Sequence, residues 1–254
     1  MDDINIIEYD SIDLKDSLLI VAFPTVGLIS SIAGRYIIDS LKLQEIGTIS
    51  SSEFMPATVI HNGRPMPPVR LYAGRKKCGP DGSCEQLAII ISEFMPSWQL
   101  VKPLVNNIFD WAEDKQCKVM MSFEGIHAQG EKKSSPQLFG VGSTSTMKQT
   151  LKKHGIKETK EGMITGVTGV LLYEGALQQR DVITLLVEAH ASYPDSRAAG
   201  VLLEKLDEML PGIKIDPEPL YKEAQNIEKK IRTFLEQSKP TAPAVMQAPP
   251  HMYG

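Results

Sequence analysis

Leu18-Leu19-Ile20-Val21-Ala22-Phe23 is an unbroken apolar run. A strand without polar alternation is stable only where both of its faces are covered, which is the situation inside a parallel sheet. The run stops at Pro24. Beyond Gly27 and Ser30, the residues Ile32, Ala33, Tyr36, Ile37 and Leu41 recur every three or four positions and predict an amphipathic helix. The same unit returns downstream. Leu87-Ala88-Ile89-Ile90-Ile91 predicts a buried strand, Pro96 and Ser97 break it, and Leu100, Leu104, Ile108 and Trp111 mark a helix leading to a strand at Lys118–Phe123. Val182–Val187 predicts a further strand, after which Asp195 is placed to cap a helix running to Leu210. Parallel neighbours require crossover connections, so the expected fold is α/β, a mainly parallel sheet with helices on both faces.

The intervening segments are less regular. Glu45–Ser52 and Ala57–Ile60 predict extended chain, and Asn62-Gly63 offers a positive-φ turn folding a hairpin into Val69-Arg70-Leu71-Tyr72. Ser143–His154 predicts a helix closed by Gly155. Gly162–Gly175 is compatible with strand or with irregular backbone. The character changes at Pro211-Gly212 and again at Pro217-Glu218-Pro219. From there Leu220, Ala224, Ile227, Ile231 and Phe234 form a seam of period 3.5, suited to a helix lying either on its own domain or on a second copy of the chain. Beyond Ser238 the prolines Pro240, Pro243, Pro249 and Pro250 stand among small residues, a composition expected to stay extended. The expected organisation is a core over residues 1–215, a helix over 216–237 and a tail over 238–254.

A formal net charge of −4 gives no electrostatic reason to bind nucleic acid, and the runs Arg75-Lys76-Lys77 and Lys132-Lys133 read as solvated loops. No apolar run approaches the roughly 20 residues of a membrane span, and Met1-Asp2-Asp3 is acidic where a secretory signal would be basic, so a cytoplasmic location is expected. Cys78, Cys84 and Cys117 lack metal-site spacing, although Cys78 and Cys84 flank the turn-like Gly79-Pro80-Asp81-Gly82 and could form a reducible staple. No metal or cofactor is expected.

Four carboxylates follow apolar runs: Glu53, Glu93, Glu124 and Glu174. Ligands of open α/β sheets bind beyond the carboxyl ends of the strands, so these groups could line one crevice and act as general acid and base or hold a divalent cation, as in an enzyme of nucleoside phosphorylase-like or ligase type. Two of them sit in a repeated pentapeptide, Ser52-Glu53-Phe54-Met55-Pro56 and Ser92-Glu93-Phe94-Met95-Pro96, which reads as one strand exit used twice with Phe-Met packed beneath. His61, His127, His154 and His190 are scattered and complete no site. Gly140-Val141-Gly142-Ser143-Thr144 could offer amides to an anion at a helix start. A Gly-Lys-Ser/Thr nucleotide loop is absent, so any activating role would be ATP-independent.

Phe23-Pro24-Thr25-Val26-Gly27-Leu28-Ile29-Ser30, then Ser92-Glu93, Gly125-Ile126 and Gly166-Val167-Thr168-Gly169-Val170-Leu171-Leu172, resemble the proteasome assembly chaperone family, in particular the archaeal relatives of the second chaperone subunit. The resemblance covers roughly residues 15–210 and the extreme C-terminus, with Thr25 standing where relatives usually carry glycine. It implies a phosphorylase-like three-layer core and a homo-oligomer, for which a tetramer or pentamer would suit the family. In members that end in a hydrophobic residue, tyrosine and any last residue, it also implies docking to the α-ring of the 20S proteasome, whether as assembly chaperone or activator. Met252, Tyr253 and Gly254 match that ending residue by residue. On this reading the protein is not an enzyme.

The chemistry of such an ending is simple. A terminal carboxylate occurs once per chain and fixes the register of a bound peptide, Tyr253 supplies a large ring with a polar tip, and Met252 adapts to an irregular wall. About 16 Pro-rich residues at roughly 3.1 Å each would span on the order of 50 Å.

Overall fold

The computed structural model describes residues 4–74, 86–127, 135–210, 215–223 and 225. The chain begins with β1 (Asn5–Glu8), passes through β2 (Leu18–Ala22) and enters α1 (Ile29–Leu41). Then come β3 (Gln44–Ser50), β4 (Val59–His61), β5 (Arg64–Met66), β6 (Val69–Gly74), β7 (Leu87–Ser92) and α2 (Trp98–Asp114). The second half holds β8 (Val119–His127), β9 (Leu138–Gly142), α3 (Ser145–Lys153), β10 (Lys157–Glu158), α4 (Gly166–Leu177), β11 (Val182–Ala189) and α5 (Ser196–Met209).

The main sheet has the order β1-β3-β6-β7-β2-β8-β11-β9-β10. Its centre, β7-β2-β8-β11, is parallel throughout, as the apolar runs require; every residue of β2 and of β7 is buried. Antiparallel strands extend it on both sides. Two apolar layers sandwich the sheet. Alternate residues of the central strands, Ile20 and Ile89 among them, pack with α1, α3 and α5, while Leu19 and Ile90 pack with α2 and α4. At roughly 25 cal/mol per Å² of apolar surface removed from water, these two layers are the main favourable term for the fold. The buried hydroxyls of Ser122 and Thr184 pair at 2.7 Å across β8 and β11, so neither is left unsatisfied in the layer. The edge strand β1 is tied to α2 by Glu8, which accepts from Trp111 Nε1 at 2.6 Å and from Lys115 Nζ at 2.7 Å.

Helix termini follow the sequence at several points. Asp195 caps α5, its carboxylate accepting from Ala198 N, and Gly155 takes a φ of +65° after α3. Two expectations need correction. Asn62 and Gly63 do adopt positive φ, but they join β4 to β5 in a separate two-stranded ribbon; Pro67 and Pro68 intervene before β6, which pairs with β3 and β7 instead. Gly162–Gly175, compatible by sequence with strand or irregular backbone, is helical from Gly166 onward, within α4. It is apolar on nearly all sides and interrupted by Gly169 and Gly175, so no 3.6-residue stripe marks it.

The proposed boundary near residue 215 falls where the chain still touches its core. Ile215 and Leu220 are buried, the Tyr36 hydroxyl donates to the Asp216 carbonyl, and a side chain on Gly200 would collide with the Tyr221 ring. Leu220, first residue of the heptad seam, therefore packs on its own subunit. Ala224, Ile227, Ile231 and Phe234 lie outside the described residues, as do Cys78, Cys84 and residues 238–254. Cys117 is a free, half-buried thiol accepting from the Ser17 hydroxyl. No helix among the described residues is long and apolar enough to cross a membrane.

Candidate functional site

The loops leaving β2, β7, β8 and β11 gather at the carboxyl edge of the parallel strands, and β3, which runs in the same direction, ends there too. The β2 loop is the centre of this edge. Gly27 and Leu28 both take left-handed φ values, +64° and +53°, turning the chain from Phe23 into α1 within a few residues. Asp195 N–H donates to the Gly27 carbonyl at 2.8 Å, and the Asp195 carboxylate accepts from His190 N at 3.0 Å and from Ala198 N at 3.0 Å. One buried side chain thus binds the exit of β11, the start of α5 and, through its own amide, the β2 loop. The His190 ring, beyond β11, stacks on Tyr193 with centroids 4.7 Å apart.

The four carboxylates do not converge. Glu93, after β7, accepts from Arg35 on α1 at 3.3 Å and from Arg70 on β6, whose guanidinium is fully buried and also donates to the Pro67 carbonyl at 2.9 Å. It is an ion-paired strut between three elements. Glu53 is exposed in a turn after β3 and its amide donates to Ser51 Oγ. Glu174 belongs to α4, not to a strand exit. Counting from Gly166, it lies about 12 Å along the helix at 1.5 Å per residue, and it pairs with Lys102 of α2 at 2.9 Å and with Gln178. The Lys102 hydrogen bond holds the Glu174 carboxyl below its ordinary range.

Glu124 is the remaining member. It sits on β8 opposite Leu186 of β11, half-buried, and interacts with Thr168 in the first turns of α4. Burial pushes its carboxyl up to about 7, with the Thr168 hydrogen bond opposing. The folded chain therefore keeps a proton that the unfolded chain, with a value of 4.5, has lost. The stability this group contributes is complete below the unfolded value, falls as pH rises through the interval and is gone above the folded one, a loss of about 3 kcal/mol. Glu124→Gln should flatten that decline, matching the parent near pH 5 and exceeding it near pH 8 in urea denaturation. Parallel pH profiles for the two chains would show that Glu124 is not the source.

The repeated pentapeptide is a shared exit only in part. Phe54 and Phe94 pack edge to face at 5.3 Å, but Met55 and Met95 stand 54% and 44% exposed instead of lying beneath. Met95 abuts Gly166 at the start of α4, and Trp98, three residues further on, is 82% exposed. The opposite edge of the sheet has a surface cavity of about 440 Å³ lined by Cys117, Lys118, Thr144, Arg180 and Asp181 among others. At the start of α3, where the sequence leads one to expect an anion, the Met147 amide is met internally: Thr144 Oγ1 accepts from it at 3.2 Å and donates to Asp181 at 2.5 Å. The residues that sequence reasoning missed are Arg35 and Arg70. Arg70 had a signal, a lone cation between Val69 and Leu71 in a run otherwise fit for burial. No group of three or more His, Cys, Asp or Glu among the described residues could hold a metal ion.

Comparison with known proteins bears on most of the chain. A family model described as the PAC2 family matches residues 19–235. An uncharacterised protein of Methanocaldococcus jannaschii is 31% identical over 237 residues, 93% of each chain. Among solved structures, Pyrococcus furiosus PbaA, described as an archaeal homolog of proteasome-assembly chaperone, superposes with a TM-score of 0.81 at 29% identity, covering 92% of both chains. Pyrococcus furiosus PbaB, described as an archaeal proteasome activator, shares the fold with a TM-score of 0.80 at 21% identity, covering 92% of this chain and 100% of its own.

Proposed function

The chain belongs to the PAC2 family, and from that premise we propose that it is a proteasome-binding protein, an assembly chaperone or ATP-independent activator, that inserts Met252-Tyr253-Gly254 into pockets of the 20S α-ring. The observation that carries the reading is the coincidence of two independent features. The fold is that of PbaA over nearly the whole chain, and the sequence ends in a hydrophobic residue, tyrosine and a small last residue.

Among the described residues, the four carboxylates do not assemble into one site at the carboxyl edge. Glu93 and Glu174 are each engaged by cations, Glu53 stands apart, and Glu124, its carboxyl raised to about 7 by burial, lies across the sheet on the α4 side. The body acts as a rigid platform from which the tail is presented. A three-residue anchor is weak alone, so the reading includes a homo-oligomer, in which the first docked tail raises the effective concentration of the others. Since Leu220 is committed to its own subunit, any association through the C-terminal helix would fall to the later seam residues.

Sedimentation of the chain with purified 20S particles tests the proposal. Co-migration of the intact chain, lost when residues 252–254 are removed, is expected. Co-migration that survives the truncation would reject tail insertion, and a monomeric mass at concentrations where binding occurs would reject the multivalent form.

A further inference from the structure

Three buried hydrogen-bond donors near the exits of β2 and β7 end without a partner among the described residues: the hydroxyls of Ser30 and Ser31 and the Nε–H of Arg70. Ser30 and Arg70 are wholly buried. Buried polar groups in folded proteins are nearly always satisfied, so three such donors in one neighbourhood point to an acceptor supplied from outside.

Their placement is consistent. Ser30 precedes Gly34 by one helical turn, and the Gly34 position lies against Ala22 of β2 and Ile91 of β7, so Ser30 faces the ends of those two strands. Ser31 precedes Arg35 by one turn, and Arg35 reaches Glu93 just past β7. Arg70 stands opposite Ile91 in register and, alternating with Val69 and Leu71 of the other layer, projects to the α1 side of the sheet. Helices α1 and α2 leave the adjacent strands β2 and β7 on opposite faces of the sheet, the point at which open α/β sheets form a crevice.

Charge adds direction. Arg35 and Arg70 share the single carboxylate of Glu93, so among the described residues one positive charge of the cluster has no acidic side chain paired with it. The N-cap residue of α1, Leu28, has no side-chain cap, and the Ser30 amide donates to Thr25 Oγ1 at 3.4 Å. A helix of 13 residues therefore directs its positive end at the same neighbourhood. Water could accept from the hydroxyls but could not neutralise the charge. We infer that a small oxyanion, a carboxylate or a phosphate group, binds between the first turns of α1 and the Arg35–Glu93–Arg70 cluster, its oxygens accepting from Ser30, Ser31 and the guanidiniums. Arg35 and Glu93, 29% and 38% exposed, form the side open to solvent. The site is independent of the tail and should persist in a chain lacking residues 252–254.

The test is thermal denaturation and calorimetric titration of the full chain with inorganic phosphate and, separately, acetate, against chloride at constant ionic strength. A saturable rise in Tm is expected with at least one probe, phosphate alone indicating a phosphoryl group and acetate alone a carboxylate. Arg35→Gln should weaken that binding at least tenfold, and Ser31→Ala should weaken it while leaving the ligand-free Tm equal or higher, since it deletes an unsatisfied donor. No rise above chloride with either probe would overturn the inference. An equal rise in parent and Arg35→Gln would do the same, as it would place the anion elsewhere.

Discussion

Gly125→Ala is expected to lower the unfolding free energy by more than about 3 kcal/mol, a large part of the roughly 5–15 kcal/mol typical of a folded domain. A Cβ at Gly125 would stand 2.0 Å from the Val26 carbonyl oxygen, 2.9 Å from its carbon and 3.1 Å from Ile29 Cγ1. The first two are backbone atoms of the β2 loop, which cannot retreat freely. Its neighbour Gly27 is itself boxed in by the His190 carbonyl and tied to Asp195, and Ile29 begins α1. A single methyl group would push one strand exit away from another and drag α1 with it. At about 2–4 °C per kcal/mol for a chain of this size, Tm should fall by on the order of 10 °C. Gly63→Asn provides the control: nothing lies within 4 Å of that position, and asparagine tolerates its φ of +75°, so stability should hardly change. Equal, small effects of both substitutions would contradict the packing described for the carboxyl edge.

The second large effect concerns association. Tyr253→Ala should reduce affinity for the 20S particle by about a thousandfold. Truncating an aromatic anchor in a filled pocket costs roughly 2 kcal/mol or more, a factor of about thirty per tail, and the factor multiplies when two tails of one oligomer are engaged. Phenylalanine at the same position should retain most of the binding, since the ring supplies most of the buried area. Affinity measured by biolayer interferometry on immobilised particles distinguishes these cases. A loss of less than threefold in the alanine chain would remove Tyr253 from the interface.

The parallel core was legible because burial on both faces leaves no room for polar residues: the apolar runs at Leu18, Leu87 and Val182 each became a central strand. Asp195 and Gly155 were legible for local reasons, one as a donor-satisfying cap and the other as a left-handed stop. Helix α4 was not, because a helix apolar on nearly all sides, with Leu177 exposed as well as Leu171 buried, lacks the amphipathic stripe that sequence reasoning reads. That miss carried Glu174 into a crevice to which it does not belong. The Asn62-Gly63 turn was recognised, but its partner strand was not, since turn chemistry fixes the bend and leaves open how far the ribbon extends before Pro67 and Pro68 interrupt it. The Arg35–Glu93–Arg70 cluster joins residues far apart in sequence, and only the sheet order, with β6 beside β7 and α1 above, brings them together.

The central claim is that a free carboxylate at Gly254, next to Tyr253, anchors the protein to the α-ring. Its most direct test joins a synthetic C-terminal segment to the body by ligation, once as the acid and once as the primary amide, and compares their binding to the same 20S preparation. The amide differs only in losing the charge that fixes peptide register, and it is expected to fail to bind at concentrations where the acid saturates. Indistinguishable binding of the two would contradict it.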